Sequence, residues 1–98
     1  MKIYFQTFDE LIKLLEDSLD DSSGLDQMKL DHLLNKMNKL VDEEPKLHIQ
    51  KQSVDFYGRT IRSLFSQGLS GSYKLSFYNQ LKREKEILHG FAVSCGFV

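Results

Sequence analysis

A chain of 98 residues fits a single domain spanning residues 1–98, because domains typically run from about 50 to 250 residues. Its composition, 41% hydrophobic and 28% charged, is globular, and it has no apolar run of the roughly 20 residues needed to cross a membrane. A net charge of −1 disfavours non-specific nucleic-acid binding, which depends on neutralising phosphates.

The N-terminus and the cysteine content predict a cytoplasmic location. The first ten residues show neither an apolar segment nor the small-residue cleavage site of a secretory signal. The single cysteine, Cys95, cannot form an internal disulfide, which agrees with a reducing compartment.

Charge is distributed unevenly along the chain. Residues 1–26 carry two lysines against seven acidic side chains, a charge of −5, whereas the remaining 11 basic and seven acidic side chains of residues 27–98 give +4. Two interpretations remain open. An acidic first helix packs beside a basic last helix, or the acidic segment serves to repel anionic surfaces.

The first helix is predicted from about Phe8 to Leu19. Thr7 and Glu10 have the spacing of a capping box, in which each side chain satisfies the other's backbone amide. Apolar residues then recur at helical spacing: Phe8, Leu11, Ile12, Leu15 and Leu19. Residues 3–5 alternate too little to fix their state, and an extended arm lying on the bundle is one interpretation of them.

The second helix is the most regular element. Asp26 is placed to cap it, and its apolar positions follow the i, i+3, i+4, i+7 pattern at Leu30, Leu33, Leu34, Met37, Leu40 and Val41. It is predicted to end ahead of Pro45, because the residue before a proline is pushed out of the α region.

Two further helices complete the prediction. The third carries its apolar face at Leu47, Val54, Tyr57, Ile61, Leu64 and Phe65, with a helix stop at residues 67–69 and a flexible loop at 70–72. The fourth carries an inward stripe at Phe77, Leu81, Leu88, Phe91, Ala92 and Cys95, and ends before Gly96. Four amphipathic helices with short connections predict an all-α fold, an antiparallel four-helix bundle.

Apolar residues off the main stripe are candidates for a second role. Phe56 points away from the apolar face of the third helix, in the same direction as Ile49 seven positions earlier. This second strip is either a contact surface for a partner or the seat of the N-terminal arm, and the spacing favours the arm.

The fourth helix holds the only basic cluster. Lys82, Arg83 and Lys85 either form a solvated face or contact an acidic protein surface or anionic lipid head groups. Glu84 interrupts both this cluster and the apolar stripe. It either reaches water at the edge of the stripe or is a buried group paired with a neighbouring helix.

Catalytic and metal-binding motifs are not recognisable. His32, His48 and His89 fall on three different predicted helices, and Cys95 on the apolar stripe is expected to act as a small hydrophobic residue. The glycine- and serine-rich segment 68–72 lacks the lysine of a phosphate-binding loop. We therefore expect a protein that binds a partner, with no cofactor, no metal and no enzymatic activity.

From Leu33 onward the order of features resembles the immunity proteins of pediocin-like bacteriocins, the enterocin A immunity family in particular. It comprises a leucine-rich helix at 33–40, a break at Pro45, an aromatic and aliphatic helix at 54–61, a Gly/Ser turn, and a final helix from Phe77 through Leu88.

The resemblance implies protection of a bacteriocin-producing Gram-positive cell from its own peptide. The protein would act from the cytosolic side, with a transient contact at the inner face of the membrane. Its partner would be the mannose phosphotransferase permease with bound bacteriocin. The C-terminal half, from residue 68 to the tail, would carry the specificity for the peptide. The oligomeric state is left undetermined.

The candidate partner-binding residues are Phe56, Lys82, Arg83, Lys85, Phe97 and Val98. An alternative function from another class is a small phage or mobile-element protein that binds and inhibits a host enzyme. An enzyme or nucleic-acid binder without a recognisable motif is a third possibility.

Overall fold

The computed structural model describes residues 2–19, 25–66 and 71–96, and within these ranges it is helical with no β-strand. The four α-helices are α1 (Lys2–Leu19), α2 (Gln27–Glu43), α3 (Lys51–Ser66) and α4 (Gly71–Ser94). A 3₁₀ helix, Pro45–Gln50, connects α2 to α3. The predicted all-α fold with four helices is confirmed.

Helix α1 begins about six residues earlier than predicted. Thr7 is not an N-cap, because it lies within α1, five residues after the first residue of the helix. Its hydroxyl donates a hydrogen bond to the Ile3 carbonyl at 2.8 Å. The extended arm is also wrong, because residues 3–5 form the first turns of α1. Tyr4 and Phe5 extend the apolar stripe of Phe8 backwards at helical spacing, and both rings are buried. Burial of the two aromatic rings, which the helical conformation of residues 3–5 allows, stabilises the protein more than a capping box at Thr7 would.

Helix α2 follows its prediction. The Asp26 side chain accepts a hydrogen bond from the Lys29 backbone amide at 3.1 Å and caps the N-terminus. The helix ends at Glu43, and Glu44 takes an extended conformation (φ −111°, ψ 109°) ahead of Pro45. The predicted apolar face is confirmed, with Leu30, Leu33, Leu34, Met37 and Val41 buried and Leu40 half-buried.

Helix α3 packs closely against α2. A Cβ atom added to buried Gly58 would lie 2.9 Å from Leu34 Cδ1, so the absence of a side chain at this position allows the close approach. Leu47 of the 3₁₀ helix and the predicted stripe of α3 are in the core, with Phe65 half-buried. The predicted helix stop at 67–69 lies outside the described residues. Gly71 and Ser72, predicted as loop, are the first residues of α4.

The helices share one core, in which α1 contacts α2 and α4, and α2 contacts α3 and the 3₁₀ helix. On α4 the predicted inward stripe is only partly correct: Phe77, Leu81 and Ala92 are buried and Leu88 is half-buried, but Phe91 and Cys95 are exposed. With 24 residues, α4 spans about 36 Å, whereas α1 with 18 spans about 27 Å, so α1 covers only part of it.

None of the helices in the described ranges combines the length and the apolar character that crossing a bilayer requires.

Candidate functional site

A cleft of about 350 Å³ separates the 3₁₀ helix and the start of α3 from the C-terminal half of α4. One wall consists of Lys46, Ile49, Gln50, Ser53 and Tyr57. The other wall consists of Glu84, Ile87, Leu88 and Phe91. We refer to this site as the α4 cleft.

The walls of the α4 cleft expose large apolar side chains. Ile49 is 81% exposed, Ile87 is 65% exposed and Phe91 is 59% exposed. Single exposed apolar residues are common on protein surfaces, but three that share one concave site are typical of an interaction surface. The arrangement provides contact area for an apolar ligand or partner segment.

The carboxylate of Glu84 is the main polar feature of the cleft. Its Oε2 atom is buried and has no hydrogen-bond partner in the described part of the chain. Leaving a buried acceptor unsatisfied costs about 1–3 kcal/mol, and more for a charged group. The side chain as a whole is half-buried, and it lines the cleft together with Tyr57 of α3.

Two tyrosines are associated with this site: Tyr57 lines the cleft, and Tyr4 is hydrogen-bonded to the lining residue Gln50. Burial, and secondly the hydrogen bond to the Glu84 carboxylate, raise the pKa of Tyr57 well above its ordinary value. Burial also raises the pKa of Tyr4, whose hydroxyl donates to Gln50 Oε1 at 3.3 Å. Both hydroxyls therefore stay protonated at neutral pH.

The predicted basic cluster is divided between two roles. Lys82 and Arg83 are exposed, with the Lys82 ammonium 5.2 Å from the centre of the Tyr78 ring. Lys85 is only 24% exposed and forms an ion pair with Asp9 of α1, at 2.9 Å between Nζ and Oδ1. At this ion pair, the acidic first helix therefore packs beside the basic last helix.

Phe56 lies outside the α4 cleft. Its ring is 45% exposed and packs edge-on against Phe77 of α4, with 6.2 Å between centroids. It is not the seat of an N-terminal arm, because residues 3–5 belong to α1. Ile49, expected to share its direction, lines the cleft, whereas Phe56 lines a separate hollow of α3. The candidate residues Phe97 and Val98 lie outside the described residues.

No group of three or more His, Cys, Asp or Glu side chains in residues 2–19, 25–66 and 71–96 could hold a metal ion. The ring of His89 lies 5.1 Å from that of Phe5, in an edge-on contact between α4 and α1. Cys95 was predicted to lie on the apolar stripe of the fourth helix, but it is exposed.

Ile87 is an apolar cleft residue that the sequence analysis missed, as it also missed the polar residues Lys46, Gln50 and Ser53. It lies off the predicted stripe of α4, next to Leu88, in the same way that Phe56 lies beside Tyr57. Applying the same criterion to α4 would have selected it. Its position across the cleft from Ile49 could not be deduced, because the two walls come from segments 38 residues apart in sequence.

Comparison of the chain with protein-family models, with curated protein sequences and with solved structures finds no match. Functional inference therefore depends on the residues of the chain and on the geometry of the α4 cleft.

Proposed function

We propose that this chain is a partner-binding protein that acts in bacteriocin immunity. In this proposal it protects the producing cell by binding, from the cytosolic side, the mannose phosphotransferase permease engaged by a pediocin-like bacteriocin. Its four helices are arranged as an antiparallel bundle. The observation that carries the binding role is the α4 cleft, where three large apolar side chains are exposed together.

Two features support a binding role over a catalytic one. The walls of the cleft are mainly aliphatic and aromatic side chains, which supply contact area. Burial raises the pKa of Tyr57, the tyrosine that lines the cleft, so its hydroxyl stays protonated at neutral pH and does not act as a base there. We therefore propose that the protein is not an enzyme and needs no cofactor.

The position of the cleft supports the bacteriocin proposal. One wall belongs to the C-terminal half of α4, and the immunity proteins that the sequence resembles use their C-terminal half to select the peptide. The exposed Lys82 and Arg83 lie on the same helix. They would add an electrostatic contact with an acidic surface of the receptor or with anionic lipid head groups at the inner face of the membrane.

The direct test is expression of the chain in a strain sensitive to pediocin-like bacteriocins. We expect increased tolerance to one peptide of a panel and not to all, because a folded surface distinguishes partners by differences in affinity. Absence of tolerance to every peptide tested would contradict the proposal and would favour the alternative, an inhibitor of a host enzyme.

A charge-reversed variant tests the contribution of α4. Lys82→Glu combined with Arg83→Glu should abolish tolerance without unfolding the protein, because exposed charges contribute little to stability. Lys85 is left unchanged, since it pairs with Asp9. The matched control is Lys36→Glu with Lys39→Glu on the exposed face of α2, which should retain tolerance. Full tolerance in the α4 variant would exclude these two residues from the interface.

A further inference from the structure

Glu84 is poorly satisfied by its own protein. Its Oε2 atom is excluded from solvent, has no hydrogen-bond donor in the described part of the chain, and takes part in none of the ion pairs found there. Tyr57 supplies one hydrogen bond to the carboxylate, which has room for more. The Glu84 side chain as a whole is half-buried and lines an open cleft, so a ligand seated in the cleft lies next to this carboxylate.

The surroundings of Glu84 define the chemistry that would complete it. Exposed Ile49, Ile87 and Phe91 supply apolar contact in the same cleft. A ligand that matches both features has an apolar stem and a cationic, hydrogen-bond-donating end. Lysine and arginine side chains have this form, and their hydrogen bonds to carboxylates are strengthened by charge. An anionic ligand would be repelled, and a neutral donor would leave the charge of Glu84 uncompensated.

We infer that the α4 cleft binds an apolar segment of the protein partner that inserts a lysine or arginine side chain to pair with Glu84. This inference deepens the proposed function and rests on it, since both take the α4 cleft as the partner-binding site. It adds the chemical identity of the anchoring residue. The competing occupants of the α4 cleft are a partner segment without a cation and a second copy of this chain.

The test compares two small probes of the same shape and different charge. Hexylguanidinium reproduces an arginine side chain with an apolar extension, and hexylurea is its neutral isostere. Each is titrated into the 98-residue protein while backbone amide chemical shifts are followed by NMR. We expect hexylguanidinium to shift the amides of the cleft and to bind about tenfold more tightly than hexylurea, as expected for one added charge-assisted hydrogen bond.

Two isosteric variants locate the preference. Glu84→Gln removes the charge and should bring the affinities of the two probes to within about twofold. Glu86→Gln removes an exposed charge two residues away on the same helix and should preserve the preference.

Three results would overturn the inference. Equal affinity of the wild type for both probes would indicate a neutral occupant, or an internal counter-ion such as Lys46 on the opposite wall. The same conclusion would follow if neither probe shifted the cleft amides. Self-association that shifts these amides would assign the cleft to a second copy. Protection without a guanidinium preference would exclude only this inference, whereas a guanidinium preference without protection would exclude only the proposed function.

Discussion

Helices α1 and α4 pack against each other but use their apolar residues differently. Nine of the 18 residues of α1 are buried, whereas only Phe77, Leu81 and Ala92 are buried among the 24 residues of α4. Five large apolar residues of α4 are exposed: Tyr73, Leu75, Ile87, Phe91 and Val93.

The difference separates the two helices by role. Burial of apolar surface is the main favourable contribution to folding, so α1 is a principal source of stability. The exposed apolar residues of α4 bury less surface and contribute less to folding, and we propose that those in the cleft contact a partner. Substitutions should therefore affect mainly stability at the buried residues of α1, and mainly binding at Ile87 and Phe91, the exposed apolar residues of α4 that line the cleft.

The largest expected effect is at Phe8. Its ring is fully buried and packs edge-on against Tyr57, at 5.6 Å between centroids. Phe8→Ala should lower the free energy of unfolding by about 3–5 kcal/mol, measured by denaturant titration followed by circular dichroism. Phe91→Ala, the matched change on α4, should cost less than about 1 kcal/mol. Similar costs at the two positions would refute the contrast between the helices.

Stability should fall above pH ~10, because the pKa values of Tyr4 and Tyr57 are raised in the folded protein. The unfolded state then loses protons that the folded state retains, so rising pH favours unfolding by about 1.4 kcal/mol per tyrosine per pH unit. Below this pH the contribution is fully present.

Phenylalanine substitutions test whether the two tyrosines cause this loss of unfolding free energy at alkaline pH. Tyr4→Phe and Tyr57→Phe should each remove part of the decline in unfolding free energy between pH 10 and 11, near the ordinary tyrosine pKa of about 10. Tyr73→Phe changes an exposed tyrosine and should leave the decline unchanged. A decline that persists in the Tyr4→Phe, Tyr57→Phe double variant would show that other groups cause it.

Glu84→Gln should raise the free energy of unfolding by about 1 kcal/mol, since it removes the charge from a half-buried carboxylate whose Oε2 atom is buried without a hydrogen-bond partner in the described part of the chain. Glu86→Gln, on the exposed face, should change it by less than about 0.5 kcal/mol. Thermal and denaturant unfolding would both report the difference. A clear loss of stability in Glu84→Gln would mean that the carboxylate serves the fold.

The smallest expected effect is at the ion pair between Lys85 and Asp9. Because the pair is partly exposed, its coupling energy in a double-mutant cycle of Lys85→Gln and Asp9→Asn should be about 0.5 kcal/mol and should decrease with salt. Lys82→Gln in place of Lys85→Gln is the control and should show no coupling with Asp9. A coupling energy near zero for Lys85 would leave the contact between α1 and α4 purely apolar.

Local sequence patterns were sufficient to predict a helix where the signals agreed. In α2 the Asp26 cap, the apolar period and Pro45 all agree, and the helix has the predicted ends. At the N-terminus two signals competed. Thr7 and Glu10 have the spacing of a cap, but Tyr4 and Phe5 continue the stripe of α1, and tertiary burial decided the outcome.

The candidate site was less predictable, because it depends on which segments meet. The sequence marked Ile49 and Glu84 as off-pattern residues, but it could not show that both line one cleft with Ile87. Phe91 was assigned to the core because its spacing matches the stripe of α4. Helical period alone does not reveal that this end of α4 lines an open cleft instead of packing in the core.

The central claim is that the exposed apolar residues of α4 that line the cleft, Ile87 and Phe91, serve binding and not folding. It is tested most directly by measuring bacteriocin tolerance and the thermal unfolding midpoint together for Ile87→Gln and Val93→Gln. Both residues are exposed on α4, but only Ile87 lines the cleft. We predict wild-type midpoints for both variants and loss of tolerance for Ile87→Gln alone. Full tolerance in Ile87→Gln, or equal loss in both variants, would contradict the claim.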